Sequence, residues 1–308
     1  MGEAREPRRL VEEEGLVGTL FCPTTPGPHP AVIALGGAGG GLREGGAEAL
    51  ASEGFAALAL AYFGVEPLPG ELVEIPLEYF EKAIEWLKSQ PEVDANRIAV
   101  VGNSKGGELA LLLGATYSED IKIVIGYAPS AVVWQGIPFE REAYYGGPKS
   151  PWSLRGEPLP FVRLARPHTP EKAQMMRSFF GTYPVATRIF YERALEDETT
   201  VAAASIAVEK INGPVLVISG TDDQVWPSTR LSEMVIERLK AHDHPFPYEH
   251  LRYEGAGHMI TLPRSKPKMR FRRRFEVGGS QEANEFADAD SWSRVVDFLE
   301  KHLKHRSK

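Results

Sequence analysis

The chain has 308 residues, 43% of them hydrophobic and 25% charged, with a formal net charge of −7 from 35 basic and 42 acidic side chains. The hydrophobic share fills a core and excludes wholesale disorder, while the acidic balance excludes non-specific nucleic-acid binding, which needs a basic face. The single cysteine, Cys22, excludes an internal disulfide and a cysteine-built metal site, and the longest apolar run, the nine residues Phe55–Phe63, falls well short of the roughly 20 a membrane helix needs.

In chain order, Met1–Leu10 carries three arginines with no apolar stretch behind them, which is no secretory signal, so a cytoplasmic protein is expected. Val17–Phe21 is a short strand pattern closed by the turn cluster Pro23–Pro30. Ala31–Leu35 is continuously apolar and leads at once into the glycine-rich Gly36–Gly41. Ala47–Ser52 reads as helix, and Phe55–Ala61 is apolar throughout. Runs without polar alternation suit strands buried on both faces. Leu77, Phe80, Ile84 and Leu87, at helical spacing, mark an amphipathic helix starting near Pro76. Strand Arg97–Val101, a helix through Leu109–Leu113 and strand Ile121–Tyr127 follow. This βαβα order predicts an α/β protein, a mostly parallel sheet with helices on both faces.

The pattern breaks from Pro129 to Ala203, which is rich in proline, glycine and aromatics, with weak helical periodicity at Glu171–Phe180 and Arg188–Leu195. A structureless loop of that length is uncommon in a compact domain, so 129–203 reads as a cap or lid inserted in a single domain, 1–308. Order resumes with strand Pro214–Ser219, helix Thr229–Lys240 and strand Glu249–Tyr253, then a basic stretch, then a last helix, Glu282–His302. On that helix Trp292, Val295, Val296, Leu299 and Leu303 share a face.

The chemistry centres on Gly102-Asn103-Ser104-Lys105-Gly106, a G-x-S-x-G pentapeptide between a strand and a helix. A nucleophilic serine on a tight strand-to-helix turn needs small neighbours and that context. A serine hydroxyl needs a base, and the base an orienting carboxylate, here in the order serine, acid, histidine. The turn Gly220-Thr221-Asp222-Asp223 offers two carboxylates; Asp223 is favoured as the acid, with Asp222 a turn or capping residue. Ala128-Pro129-Ser130, after the preceding strand, offers no carboxylate. His258, in Gly255-Ala256-Gly257-His258, fits the base. His242, His244 and His250 read as solvated surface residues rather than a metal site, His29, His302 and His305 as exposed turn or tail residues, and His168 as a pocket-lining or silent one.

The oxyanion of a tetrahedral intermediate needs backbone donors: the N–H of Lys105 and that of Gly37 or Ala38. A phosphate-binding reading of Gly36–Gly41 fails, because no G-K-[ST] follows and no G-x-G-x-x-G forms. Between Leu262 and Phe275 lie seven basic residues and no acidic one. Two readings stand: a solvated loop, or a clamp for the phosphates of a coenzyme A thioester, with Arg272, Arg273 and Arg274 as its centre.

On these residues the chain resembles the catalytic domain of the acyl-CoA thioesterase and bile acid-CoA:amino acid N-acyltransferase family, itself close to dienelactone hydrolases. The resemblance rests on Leu35–Glu44, Phe55–Gly64, Val101–Glu108, Val132–Gly136, Gly220–Ser228, Gly255–His258, Gly278-Gly279 and Asp290-Ser291-Trp292. It implies an α/β-hydrolase fold with the triad Ser104, Asp223 and His258. Family members with the mammalian layout carry an N-terminal β-sandwich, which is expected to be absent where only about 30 residues precede Ala31. The amino-acid acyltransferase branch uses a cysteine nucleophile; serine here tilts the reading to hydrolysis.

The expectation is therefore a serine hydrolase of acyl thioesters or carboxylic esters, with no metal and no organic cofactor. Its substrate is a small-molecule acyl ester or thioester, and Trp134, Trp152 and Phe161 of the insertion are expected to line the pocket. Carboxylesterase or dienelactone-type lactone hydrolysis is the alternative within enzymes, and a silent hydrolase-fold binding protein the alternative outside them.

Overall fold

Every residue of β3 (His29–Leu35) and of β4 (Ala56–Ala61) is buried, and successive side chains point to opposite faces. Ala31, Ile33 and Leu35 join one apolar cluster; Val32 and Ala34 join a second across the sheet. A sheet apolar on both faces must be covered on both, and that requirement fixes the architecture. The computed structural model describes residues 8–138, 147–169, 171–172, 184–265 and 275–304.

Besides β3 and β4, the sheet holds β1 (Arg8–Val11), β2 (Val17–Phe21), β6 (Val93–Asn103), β7 (Ile121–Tyr127), β10 (Val215–Gly220) and β11 (Tyr248–Tyr253). The eight strands run in the order β1-β2-β4-β3-β6-β7-β10-β11. β1 and β2 are antiparallel, and from β4 to β11 every neighbour is parallel. One face is covered by α1 (Gly45–Ser52) and α7 (Gln281–Leu299), through Ala47, Leu50, Ala287, Val295 and Phe298. The other is covered by α2 (Glu78–Lys88), α3 (Lys105–Thr116) and α6 (Ser228–Ala241). α3 is buried from Lys105 to Gly114, as the unbroken apolar run Leu109–Leu113 requires. Among the described residues no helix is long and apolar enough to cross a membrane.

The expected elements of the sheet domain are present, within a few residues at their ends. β1 is an addition: its Arg8 and Leu10 are exposed, so no apolar pattern marked it. His29 is a correction, since it opens β3 in a buried position and donates from Nε2 to Thr25 O at 3.0 Å rather than facing solvent.

The Pro129–Ala203 segment is held by isolated bridges, Val132 to Ser205 and Trp134 to Val162, instead of long ladders. β8 (Trp152–Leu154) and β9 (Glu157–Pro158) join β5 (Ile75–Pro76) in a separate three-stranded sheet. Two short helices follow, α4 (Arg188–Ala194) and α5 (Glu198–Ala204). A third apolar cluster joins Val132, Trp134, Val162, Ala194 and Leu195 of the segment to Trp226 and Leu231. Of the helical periodicity at Glu171–Phe180, only Glu171 and Lys172 are among the described residues.

Candidate active site

The carboxyl ends of β3, β6, β10 and β11 lie along one edge of the sheet, and each leads into a loop carrying a predicted site residue. Ser104 stands between β6 and α3 with φ 56° and ψ −121°. A positive φ on a side-chain-bearing residue costs on the order of 1–3 kcal/mol and must be held by its surroundings. Here Ser104 N–H donates to Tyr127 O at 2.8 Å and Ser104 O accepts from Glu108 N–H at 3.0 Å. The flanking glycines make the turn possible. A Cβ on Gly102 would lie 1.9 Å from Gly106 O, and one on Gly106 would lie 2.4 Å from Gly36 O. Ser104 itself is half-buried, so its hydroxyl remains reachable.

His258 Nε2 lies 2.9 Å from Ser104 Oγ, and its Nδ1 lies 2.8 Å from Asp223 Oδ2. A carboxylate only accepts, so Nδ1 carries the proton and Nε2 offers its lone pair to the serine O–H. Asp223 is 1% exposed, and its Oδ1 accepts from Val225 N–H at 2.9 Å and Trp226 N–H at 3.2 Å. His258 N–H donates to Val277 O at 2.8 Å, and the Trp226 indole stands edge-on to the imidazole, 5.8 Å away. The neighbouring Asp222 faces elsewhere: Oδ2 accepts from Gly279 N–H at 2.7 Å and Oδ1 from Gln224 Nε2 at 2.7 Å.

Lys105 opens α3, where the first N–H groups have no intrahelical acceptor. Gly37 passes against the elbow: a Cβ there would lie 3.3 Å from Ser104 Cβ and 2.9 Å from Asn103 O. Ala38 follows, half-buried. The Tyr62 hydroxyl donates to Gly36 O at 2.5 Å.

The sequence reading missed a buried ionic group directly behind the elbow. Lys105 Nζ donates to Glu108 Oε1 at 2.6 Å and to Trp134 O at 3.1 Å. Glu108 Oε1 also accepts from Trp152 Nε1 at 2.9 Å, and Oε2 from Trp134 N–H at 3.3 Å. Burial pushes the Glu108 carboxyl up and the Lys105 ammonium down, and each charge opposes the shift of the other. The signal that could have found this pair is its position on a helix apolar on every side, where a charged residue has no solvent face to occupy.

Trp134 and Trp152 are 1% and 0% exposed, so neither indole has surface to offer a ligand in this structure; Phe161 is half-buried. Trp134 meets the Tyr191 ring at 4.7 Å and Tyr191 meets Trp226 at 5.7 Å, a chain of edge-on contacts that ends at His258. The segment also grips the acid loop: Thr187 and Arg188 N–H both donate to Gln224 O, and Arg188 Nη1 donates to Asp223 O at 3.3 Å. Arg272, Arg273 and Arg274 lie outside the described residues. Of the residues around them, Arg264 pairs with Glu48 of α1 at 2.8 Å, and Phe275 bridges Val185 of the segment.

Two further histidines depart from the expectation of solvated side chains. His244 is buried and donates from Nε2 to Gly213 O at 3.0 Å. His250 Nε2 lies 2.8 Å from Ser219 Oγ, and burial, helped by the charge of Arg252, pushes its imidazole down to about 4. His242 is exposed as expected, and His168 is exposed too.

A model of the BAAT / acyl-CoA thioester hydrolase C-terminal family matches residues 75–305. The chain is 32% identical over 306 residues to the mitochondrial acyl-coenzyme A thioesterase 2 of Mus musculus, an alignment covering 97% of this chain and 61% of that one. To acyl-coenzyme A thioesterase 1 of Mus musculus it is 31% identical, covering 96% and 65%. It thus spans less than two thirds of the length of these relatives. Among solved structures, a dienelactone hydrolase-like promiscuous phosphotriesterase from metagenomic libraries superposes with a TM-score of 0.54 at 17% identity, covering 93% of this chain and 92% of the other. That likeness places the fold among the α/β-hydrolases.

Proposed function

The chain belongs to the BAAT / acyl-CoA thioester hydrolase C-terminal family, and we propose that it hydrolyses acyl thioesters, of coenzyme A foremost, through an acyl-enzyme on Ser104. The observation that carries this reading is the continuous relay Asp223 to His258 to Ser104, at 2.8 and 2.9 Å, on a turn whose strain only the surrounding glycines permit.

Ser104 Oγ attacks the acyl carbon as its proton passes to His258 Nε2, and Asp223 stabilises the imidazolium without taking the proton. The oxyanion sits between the N–H of Lys105 and that of Gly37 or Ala38. Collapse breaks the carbon–sulfur bond, and His258 returns its proton to the leaving thiolate. A water, deprotonated by the same nitrogen, then releases the acyl group as a carboxylic acid.

In this reading Pro129–Ala203 is the cap over the acyl group. Phe161 supplies surface, and Trp134 and Trp152 stiffen the layer behind it. The basic run ending in Arg272, Arg273 and Arg274 holds the phosphates of the leaving group. The placement of its neighbours Arg264 against α1, next to the glycine loop, and Phe275 against the cap supports that assignment. The thiolate of the amide-forming branch is replaced by a serine oxygen, which favours water as acceptor.

A hydrolysis panel of acyl-CoAs of several lengths against the matching p-nitrophenyl esters tests the proposal, together with fluorophosphonate labelling. Labelling at Ser104 and a higher kcat/KM for the thioesters are expected. Faster turnover of the esters would make the protein a carboxylesterase, and a chain that takes no label would be a silent fold.

A further inference from the structure

We propose that Glu108 is a positioning residue that fixes both halves of the oxyanion site and docks the cap onto the nucleophile's helix. The inference rests on the reading of Ser104 as nucleophile and adds the group that sets where its oxyanion is held.

Glu108 lies four residues after Ser104, fully buried, with each carboxylate oxygen committed to donors. On one side it binds the side chain of Lys105, the residue whose main chain supplies the first oxyanion N–H. That side chain also donates to Trp134 O, so Lys105 is held at its far end as well as by the helix. On the other side Glu108 orients Trp152, whose ring packs 5.8 Å from that of Tyr62. The Tyr62 hydroxyl donates to Gly36 O. Gly36 C=O and Gly37 N–H belong to one planar peptide unit, so holding the carbonyl fixes the direction of the Gly37 N–H, which this proposal takes as the second oxyanion donor. One carboxylate therefore governs both donors.

A stability role alone would not call for this pair. Removing an ammonium and a carboxylate from water costs as much as their attraction returns, and apolar residues of the same volume fill a core at least as well. What apolar residues cannot do is point a specific lysine, indole and main-chain N–H at fixed atoms.

The test uses Glu108→Gln, the double change Lys105→Met with Glu108→Gln, and Tyr62→Phe. p-Nitrophenyl butyrate is the substrate, and fluorophosphonate titration counts competent sites. An aryl trifluoromethyl ketone, which places an oxyanion in the site when Ser104 adds to it, serves as the inhibitor. Per titrated site, kcat should fall about 10- to 100-fold in Glu108→Gln and in Tyr62→Phe, KM should stay within about twofold, and Ki for the ketone should rise in step with the loss of kcat. The double variant, free of an unpaired buried charge, should regain thermal stability without regaining kcat. Fewer titratable sites with kcat and Ki per site unchanged would reduce Glu108 to a structural residue and overturn the proposal. If Glu108→Gln does not fold, the double variant decides, because it removes the carboxylate without leaving a buried charge unpaired; kcat and Ki per site at wild-type values in it would overturn the proposal. A wild-type protein that neither takes the phosphonate nor binds the ketone would overturn the nucleophile reading itself; a labelled, inhibited wild type with unaffected variants would overturn only this one.

Discussion

The sheet edge that bears Ser104, Asp223 and His258 and the Pro129–Ala203 segment that grips it are held by different forces. At the edge, each reacting group stands within five residues of a strand in a parallel ladder, backed by fully buried aliphatic side chains on both faces. The segment has short strands and single bridges, and its hold on the body depends on a few side chains: Glu108 under Trp134 and Trp152, Tyr191 between Trp134 and Trp226, Thr187 and Arg188 on the acid loop. Main-chain ladders tolerate sequence change and keep geometry; side-chain contacts change with each substitution. In the proposed reading the chemistry therefore sits on the part that resists change, and substrate selection on the part that accepts it.

The largest expected effect tests the edge. Ser104→Ala removes the nucleophile and should lower kcat by about 10⁶ while the thermal midpoint stays near the wild-type value. A smaller hydroxyl-free side chain leaves the elbow's main-chain bonds in place, so calorimetry and turnover should separate cleanly. Near-wild-type turnover in the pure variant would refute the elbow.

Next in size is the pair of adjacent aspartates, which have different partners: Asp223 faces His258, and Asp222 faces Gly279 and Gln224. Asp223→Asn presents an amide to His258 Nδ1, favours the wrong tautomer, and should cost roughly 10⁴ in kcat. Asp222→Asn weakens a bond to Gly279 N–H and should cost about 1–3 kcal/mol of stability with kcat largely kept. Equal kinetic losses at the two positions, or the larger loss at Asp222, would reassign the acid.

The same contrast explains what could be read in the sequence. Strands such as Ala31–Leu35 and Phe55–Ala61 were legible because burial on both faces leaves an unbroken apolar run. The order serine, acid, histidine was legible because the reaction admits few residue types in few places. β1 was not, since an edge strand with Arg8 and Arg9 carries no such pattern. Nor were β5, β8 and β9, which at two or three residues are shorter than any period. Lys105 and Glu108, three apart, look like a solvated helical pair until the helix is seen to have no solvent face. His29 and His244 are buried and His250 half-buried because particular partners, Thr25 O, Gly213 O and Ser219 Oγ, accept or complete their hydrogen bonds, and folding alone brings those atoms near.

On the side of substrate selection the expected effect is smaller and confined to KM. Replacing Arg272, Arg273 and Arg274 by Gln should raise KM for an acyl-CoA about tenfold, with little change for an uncharged p-nitrophenyl ester. Phosphate contacts far from the reacting carbon bind ground and transition states alike, so kcat should hardly move, and the wild-type KM for acyl-CoA should rise with salt. Equal losses with both substrates would place the effect in the fold instead of the leaving group.

The smallest effect lies within the sheet domain, where a titration should be visible that owes nothing to the cap. His250 on β11 bonds Ser219 on β10, and burial pushes its imidazole down to about 4 from the ordinary value near 6.5. Between those two pH values the unfolded chain binds a proton that the folded chain refuses. Stability from this group is therefore complete above about pH 6.5 and drains as the pH falls towards 4. The ring is only half-buried, so solvent screening reduces the contribution to about 1–2 kcal/mol. His244, also pushed down by burial, adds a term of the same sign. Urea unfolding at pH 7 and pH 5 should show a loss on acidification in the wild type that shrinks, without vanishing, in His250→Gln. The same acid loss in both proteins would mean that His250 is protonated in the fold, with its bond to Ser219 intact and the imidazolium solvated from the exposed side of β11.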